Sequence, residues 1–138
     1  MHHEATQQSL LLLIILFPLG GAIINGLVGR YLPKGLVTLV GVGSVAVSFA
    51  LAVASFAELY GLSQGDHAEG AALAYHFYEW FSLKLPGGEV VPINVRFLMD
   101  SLSGVMTLIV TGIGGLIHLY SIGYMGEDEG YPRFMAFL

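Results

Sequence analysis

Three long runs without a charged residue constrain the fold of this chain more than any other feature. They cover residues 5–29, 35–57 and 101–126, which makes them 25, 23 and 26 residues long. Crossing a hydrocarbon core about 30 Å thick takes roughly 20 helical residues, and moderate tilt accommodates a longer run. We therefore predict an all-α integral membrane protein whose three transmembrane helices occupy segments 1–30, 35–58 and 100–126.

The composition supports the membrane class. Hydrophobic residues make up 55% of the chain and charged residues 11%, whereas soluble domains carry about a quarter charged residues. Too little polar chain remains to bury three such helices inside a soluble protein. Five basic residues against ten acidic ones provide no basic patch, so we expect no nucleic-acid partner. The absence of cysteine excludes disulfides and cysteine-ligated iron–sulfur clusters within this chain.

The first run could be a secretory signal peptide instead of a retained helix. Its leader lacks Lys and Arg, and no small-x-small cleavage site follows the apolar stretch cleanly, although signal peptides usually have both. The run also contains Pro18 and Asn25 and is followed by Arg30. We interpret it as a retained first helix.

Orientation follows from the short loops. Arg30 and Lys34 lie together in the turn between the first two helices, while the N-terminus has no Lys or Arg. The positive-inside rule places that turn in the cytoplasm and the N-terminus outside. Segment 59–99 is then extracytoplasmic, and segment 127–138 is a cytoplasmic loop followed by the start of a fourth helix.

Segment 59–99 is predicted to contain a loop and a β-hairpin on the outer face. Residues 61–70 read as a loop, whereas 75–84 and 89–98 are rich in aromatic or alternating apolar residues. Pro86 and Gly87 between them fit the two central positions of a type II turn.

Several polar and aromatic residues of the hairpin invite a functional interpretation. We expect Tyr75, Tyr78 and Trp80 at the level of the lipid headgroups. His76 and Glu79 are interpreted as solvated strand residues rather than a metal site, because no third ligand lies near them in sequence.

Small residues at four-residue spacing predict helix-packing surfaces, because close backbone approach drives helix association in lipid. Two helices carry such rows. The first helix has Gly21, Asn25 and Gly29, and the second has Ser44, Ser48 and Ala52 together with Ala46, Ala50 and Ala54.

The third helix carries a polar stripe. Its members, which step by three or four positions, are Asp100, Ser103, Thr107, Thr111, Gly114, His118 and Ser121. This spacing places them on one helix face. That face must point toward protein or water, because lipid would leave its polar groups unpaired.

His118 has two interpretations within this stripe. It is either a neutral packing residue that hydrogen-bonds neighbouring helices, or part of a hydrated proton route that includes Thr107 and Thr111. An unperturbed pKa near 6.5 suits histidine for proton transfer, but a lone histidine favours packing. Asp100, at the outer end of the helix, is predicted to be its N-cap.

Residues 131–138 look like the first turns of a fourth helix, with Pro132 suited to a first helical turn. A helix that stops after one or two turns cannot cross a bilayer. We therefore expect the chain to be an N-terminal fragment of a longer protein.

The segment 97–138 closely resembles the start of the largest antiporter-like membrane subunit of respiratory NADH:quinone oxidoreductase (complex I), called subunit L in bacteria. Four motifs carry this resemblance. They are D-x-L-S at 100–103, V-T-G-x-G at 110–114, L-I-H-x-Y at 116–120 and Y-M-x-x-x-x-G-Y-x-R-F at 124–134. Earlier residues match by pattern, through L-F-P-L-G-G in the first helix, G-V-G-S in the second and a tryptophan in the hairpin.

The resemblance implies a piece of a larger antiporter-like helix bundle in the cell inner membrane. In this family, charged residues on later helices carry protons, and these would lie beyond residue 138. His118 is then implied to line or support the first half-channel without being the principal proton carrier. NADH, FMN, iron–sulfur clusters and quinone are implied for other subunits and none for this chain. The implied partners are the other membrane-arm subunits and the lipid bilayer.

Two other functions stay open on the sequence alone. An Mrp-type sodium/proton antiporter subunit would share the fold without quinone chemistry. A small structural membrane scaffold that ends at Leu138 is the third possibility.

Overall fold

A computed structural model describes residues 2–64 and 72–138. In chain order its elements are α1 (His2–Leu27), a 3-10 turn (Gly29–Tyr31), α2 (Lys34–Ser63), β1 (Leu73–Lys84), β2 (Val90–Met99), α3 (Ser101–Met125) and α4 (Tyr131–Phe137). Within these residues, α1, α2 and α3 are long and apolar enough to cross a membrane. The fourth helix begins where the sequence predicts it, with Pro132 in its first turn.

α2 packs against α1 along one continuous stripe. Its buried residues recur every three or four positions, and they are Val37, Gly41, Val45, Ser48, Ala52, Ser55 and Leu59. From α1, Leu11, Ile14, Gly21 and Asn25 are buried, as is Gly29 at the start of the 3-10 turn. A side chain at Gly21 would place its Cβ 2.3 Å from Ser44 Oγ, so glycine permits this close approach.

One predicted packing row is not buried within the described part of the chain. Ala46, Ala50 and Ala54 are all exposed in this chain, whereas Ser48 and Ala52 are buried. Successive helical residues are separated by roughly 100°, so two positions differ by about 200°. The two rows of α2 therefore point in nearly opposite directions and cannot both face α1.

α2 also continues past its predicted end at residue 58. The first three residues of the predicted loop, 61–63, are helical. Leu59 is 1% exposed and packs with Leu11 and Met99, so packing carries the helix beyond the charge at Glu58. Most of the remaining predicted loop, residues 65–70, lies outside the described residues.

β1 and β2 form the predicted antiparallel hairpin, but its turn is not type II. A type II turn needs a positive φ at Gly87, and the positive φ, +82°, belongs to Gly88. Leu85 N–H bonds to Glu89 O at 2.9 Å across the loop. This is the arrangement of a three-residue hairpin loop closed by a left-handed glycine.

Two bulges interrupt the side-chain alternation of the hairpin. His76 pairs with Arg96 while Tyr78 pairs with the next residue, Val95, so Phe77 is extra; a second shift makes Trp80 extra. A bulge moves the following side chains to the other face. The hairpin consequently exposes large apolar side chains on both of its faces, including Trp80 at 67%.

The two ends of the molecule have separate apolar cores. Leu73, Tyr75 and Met99 at the base of the hairpin pack on a cluster that includes Leu11 and Leu59. At the opposite end, α4 packs Tyr131 and Met135 against Val37. The hairpin thus lies at the end of the bundle where α1 begins, and the turn between α1 and α2 lies at the other.

Candidate functional site

The polar stripe of α3 lies on the side of the helix that contacts the rest of the chain. His118 and Ser121 are buried, and Thr107 and Thr111 are half-buried. Apolar residues on the other faces are exposed; Leu116, for example, is 67% exposed. The structure therefore places His118 toward protein, away from the surface available to lipid.

The hydroxyl groups of the stripe bond to their own helix. Thr107 Oγ1 donates to Ser103 O, and Thr111 Oγ1 donates to Thr107 O, both at 2.7 Å. Ser121 Oγ donates to Ile117 O at 2.8 Å. Each hydroxyl proton is thus used within the helix, so these side chains offer acceptor lone pairs to a neighbouring group.

His118 bonds in the same way through one ring nitrogen and leaves the other available. Its Nδ1 lies 2.8 Å from Gly114 O, and a carbonyl oxygen can only accept, so Nδ1 carries the proton of this bond. In the neutral ring Nε2 is then an acceptor. Within residues 2–64 and 72–138, the structure gives Nε2 no hydrogen-bond partner.

His118 lines a cleft of about 420 Å³ between α1, α2, α3 and α4. We call it the histidine cleft; its polar lining residues are Ser44, Thr111 and His118. Pro18 closes it from α1 and Met135 from α4. Thr107 is not part of it, since it lines a separate small pocket beside the base of the hairpin. The arrangement brings together two of the three residues that the sequence selected for a proton route.

Pro18 and Ser48 form a polar contact that the sequence reading missed. In a regular helix the N–H of residue 18 would bond to Ile14 O, but proline has no N–H. Ser48 Oγ on α2 donates to that carbonyl instead, at 2.5 Å. Ser48 is completely buried. The sequence signal that could have predicted this bond is a proline in the first helix together with a serine on the inward stripe of the second.

Asn25 makes a second polar bond between α1 and α2. Its Nδ2 donates to Val37 O at 3.1 Å, and its side chain is 1% exposed. Its Oδ1 and the Oγ of Ser55 are buried without a partner in the described part of the chain. These two oxygens are the polar atoms for which the packing of α1 and α2 provides no donor.

Asp100 caps the N-terminus of α3. Its carboxylate accepts from Ser103 N–H, and Ser103 Oγ accepts from Asp100 N–H, both at 2.8 Å, which forms a capping box. Hydrogen bonds from the Ser103 hydroxyl, and then from its backbone, hold the pKa of Asp100 below its usual value. Asp100 therefore acts as a cap and lies at the opposite end of α3 from His118.

The C-terminal end of α3 is attached to α2. Lys34 Nζ donates to Gly126 O at 2.7 Å, which satisfies a carbonyl at the negative end of the helix dipole. Thr38 Oγ1 donates to Lys34 O and lies 2.7 Å from Tyr131 OH, which must then be the donor of that bond. This end of the bundle is thus joined by side chains from α2 and α4.

His76 and Glu79 are exposed on β1, opposite Arg96 and Asn94. Among the residues that the structure describes, no three His, Cys, Asp or Glu side chains are grouped closely enough to hold a metal ion.

Comparison with known proteins shows which proteins this chain is similar to. The model of the chain 5 N-terminus of NADH-ubiquinone oxidoreductase (complex I) matches residues 85–135. NADH-quinone oxidoreductase subunit L of Neisseria meningitidis serogroup A is 34% identical over 132 residues, which are 95% of this chain and 18% of that protein. NADH-ubiquinone oxidoreductase chain 5 of Triticum aestivum is 37% identical over 128 residues, or 92% of this chain and 17% of that protein.

NADH-quinone oxidoreductase subunit L of Rickettsia conorii is 30% identical over 95% of this chain, which is 18% of that protein. The chain therefore spans less than a fifth of the length of these proteins. Along nearly all of its own length, this chain is related to the subunit L and chain 5 proteins of complex I, and the family model that it matches is that of their N-terminus.

Proposed function

We propose that this chain is the N-terminal part of a proton-translocating membrane-arm subunit of NADH:quinone oxidoreductase, in which quinone reduction drives proton pumping. The similarity that covers 95% of the chain supports this proposal, as do three helices long enough to cross a membrane. NADH, FMN, iron–sulfur clusters and quinone belong to other subunits of the complex, and this chain takes part in proton movement without redox chemistry of its own.

His118 is the residue on which this proposal rests within the chain. It is 7% exposed, its Nδ1 is fixed by Gly114 O, and it lines the histidine cleft together with Thr111. A neutral imidazole held in this way presents Nε2 as a proton acceptor. His118 thus lines or supports the first half-channel, while charged residues on later helices of this family are the principal proton carriers.

The proposed orientation places the N-terminus and the hairpin on the extracytoplasmic side of the cell inner membrane. The start of α1 and the hairpin lie at the same end of the bundle, which supports a common side for both. Arg30 and Lys34 lie at the other end, which the positive-inside rule assigns to the cytoplasm. The partners are the neighbouring membrane-arm subunits and the lipid bilayer.

His118→Gln in the complete complex tests the proposal. The glutamine amide can still donate to Gly114 O, so the packing bond is retained, but glutamine does not titrate. We expect normal assembly together with a proton-pumping rate, per NADH oxidised, that is lowered at least twofold. Proton uptake by inverted membrane vesicles, measured alongside NADH oxidation, reports both quantities.

His76→Gln is the matched control, because His76 is exposed on the hairpin, and it should leave pumping unchanged. Unchanged pumping and assembly in His118→Gln would show that His118 only packs helices. Proton transport that continues in exchange for sodium, without quinone reduction, would instead favour an Mrp-type antiporter.

A further inference from the structure

A polar cleft of about 510 Å³ lies where α1 ends and α4 begins. We call it the arginine cleft, because Arg30 of the 3-10 turn and Arg133 of α4 both line it. The two arginines are 103 residues apart in sequence, so the fold brings them together. Leu27 and Glu129 contribute an apolar and an acidic side chain to the same cleft.

The two guanidinium groups have no anionic partner in the described part of the chain. Arg30 contacts the hydroxyl of its neighbour Tyr31 and lies 4.4 Å from the centre of that ring. Within residues 2–64 and 72–138, Arg133 makes no hydrogen bond or ion pair. Glu129 is exposed and pairs with neither arginine. The cleft thus holds two available cations and one anion.

The position of the cleft relative to the spans indicates which anion can reach it. The first span ends at Leu27 and the second begins at Lys34, so the 3-10 turn lies at a membrane boundary. Tyr31 and Tyr124, at the same end of the helices, are 70% and 71% exposed. Tyrosine is enriched at the level of lipid headgroups. An anion at this depth is most simply the phosphate of a membrane lipid.

We propose that the arginine cleft binds the headgroup of an anionic phospholipid. Arg30 and Arg133 donate to the phosphate oxygens, a pairing for which the planar guanidinium is suited. Leu27, which is 72% exposed and lines the cleft, offers apolar contact to the start of an acyl chain. The net charge of the cleft favours a lipid with a net negative charge over a zwitterionic one.

The test uses the complete membrane protein, purified in mild detergent and supplied with phosphatidylglycerol, phosphatidylcholine, phosphatidylethanolamine or inorganic phosphate. Retained lipid is counted by native mass spectrometry. A basic residue near the membrane surface strengthens anionic lipid binding about fivefold. We therefore expect Arg30→Gln and Arg133→Gln to weaken retention of phosphatidylglycerol about fivefold each and about 25-fold together.

Two further variants separate a binding site from a folding defect. Glu129→Gln removes the one anion of the cleft, so it should strengthen phosphatidylglycerol retention, a gain that misfolding cannot produce. Arg96→Gln, an exposed arginine of the hairpin, makes the same charge change elsewhere and should have no effect.

Four results would overturn the proposal. One is equal retention of phosphatidylglycerol and phosphatidylcholine by the unchanged protein. Another is displacement of phosphatidylglycerol by inorganic phosphate as effectively as by added lipid, which would indicate that the cleft binds a soluble anion. A preference for phosphatidylethanolamine that is lost in Glu129→Gln would indicate a zwitterionic lipid. A carboxylate of another protein segment within hydrogen-bond distance of Arg133 in a structure of the complex would indicate a protein occupant.

Discussion

Ser48→Ala is expected to destabilise the pairing of α1 and α2 by about 1–3 kcal/mol, because it leaves a buried carbonyl without a donor. Ser48 Oγ lies 2.5 Å from Ile14 O and is fully buried. The helical N–H that would otherwise bond to Ile14 O is missing, since residue 18 is proline. Alanine differs from serine by one oxygen atom, so the lost packing contributes little to this figure.

Ser55→Ala is the matched control on the same stripe of α2. Ser55 is 1% exposed, but its Oγ has no partner in the described part of the chain. Removing a buried hydroxyl that makes no bond should leave the stability unchanged or raise it by about 1–2 kcal/mol. Of two identical substitutions at equally buried serines, only Ser48→Ala is therefore expected to destabilise the protein.

Pro18→Ala isolates the contribution of the proline. It restores an N–H that can bond to Ile14 O within α1, so the donor from Ser48 is no longer required. In that background we expect Ser48→Ala to cost less than about 0.5 kcal/mol. The coupling free energy between positions 18 and 48 is then about 0.5–3 kcal/mol, whereas positions 18 and 55 should be additive.

The free energies are measured on the full chain in mixed micelles, where helix loss on titration with a denaturing detergent is followed by circular dichroism. If Ser48→Ala and Ser55→Ala lowered the free energy of unfolding by the same amount, the assigned role of the Ser48 hydroxyl would be contradicted. Additive effects of Pro18→Ala and Ser48→Ala would refute the link between the proline and the serine.

Two further predictions concern the packing of α1 and the cap of α3. Gly21→Ala should destabilise α1–α2 packing by about 1–3 kcal/mol through overpacking, because its Cβ would lie 2.8 Å from Ser44 Cβ. A Cβ at Gly20 would meet no atom within 4 Å, so Gly20→Ala should be neutral or stabilise the helix by up to about 1 kcal/mol. Equal midpoints of the denaturing-detergent titration for the two variants would contradict this. At the N-terminus of α3, hydrogen bonds from Ser103 lower the pKa of Asp100 below 3.8. A lowered folded-state pKa means that the cap is fully effective above 3.8 and loses its contribution as the pH falls through the folded-state pKa. Asp100→Asn keeps a capping oxygen but cannot be protonated in this range. The difference between the titration midpoints of the unchanged protein and Asp100→Asn should therefore change below pH 3.8 and stay constant above it. A difference that is constant at every pH would exclude the Asp100 carboxylate as the source of the pH dependence.

The fold was largely predictable because its strongest signals are local. Charge-free runs identified α1, α2 and α3, and the polar period of α3 predicted the inward direction of His118. These features depend on the periodicity of one element and on the cost of polar groups in lipid. Neither requires knowledge of which helix lies beside which.

The features that the sequence did not predict depend on contacts between elements. The extension of α2 follows from the burial of Leu59 against Leu11 and Met99, which belong to α1 and β2. Ser48 looked like one member of a small-residue row, yet its role is set by a carbonyl of Ile14 on another helix. The displaced positive φ at Gly88 follows from the register of β1 and β2, which a turn motif alone does not fix.

The three long helices are joined by different kinds of contact, and this difference bears on the histidine cleft. α1 and α2 share two buried side-chain bonds to backbone carbonyls, Ser48 to Ile14 and Asn25 to Val37. α3 instead lies against α2 through glycines: a Cβ at Gly112 would lie 3.1 Å from Phe49.

In the described part of the chain, α2 is joined to α3 by a side-chain hydrogen bond at the C-terminal end of α3, where Lys34 Nζ donates to Gly126 O. α3 can therefore shift against the α1–α2 pair without breaking a buried polar bond near His118. Because Thr107 and Thr111 already donate to their own helix, such a shift changes the surroundings of one unpaired polar atom of the stripe, His118 Nε2.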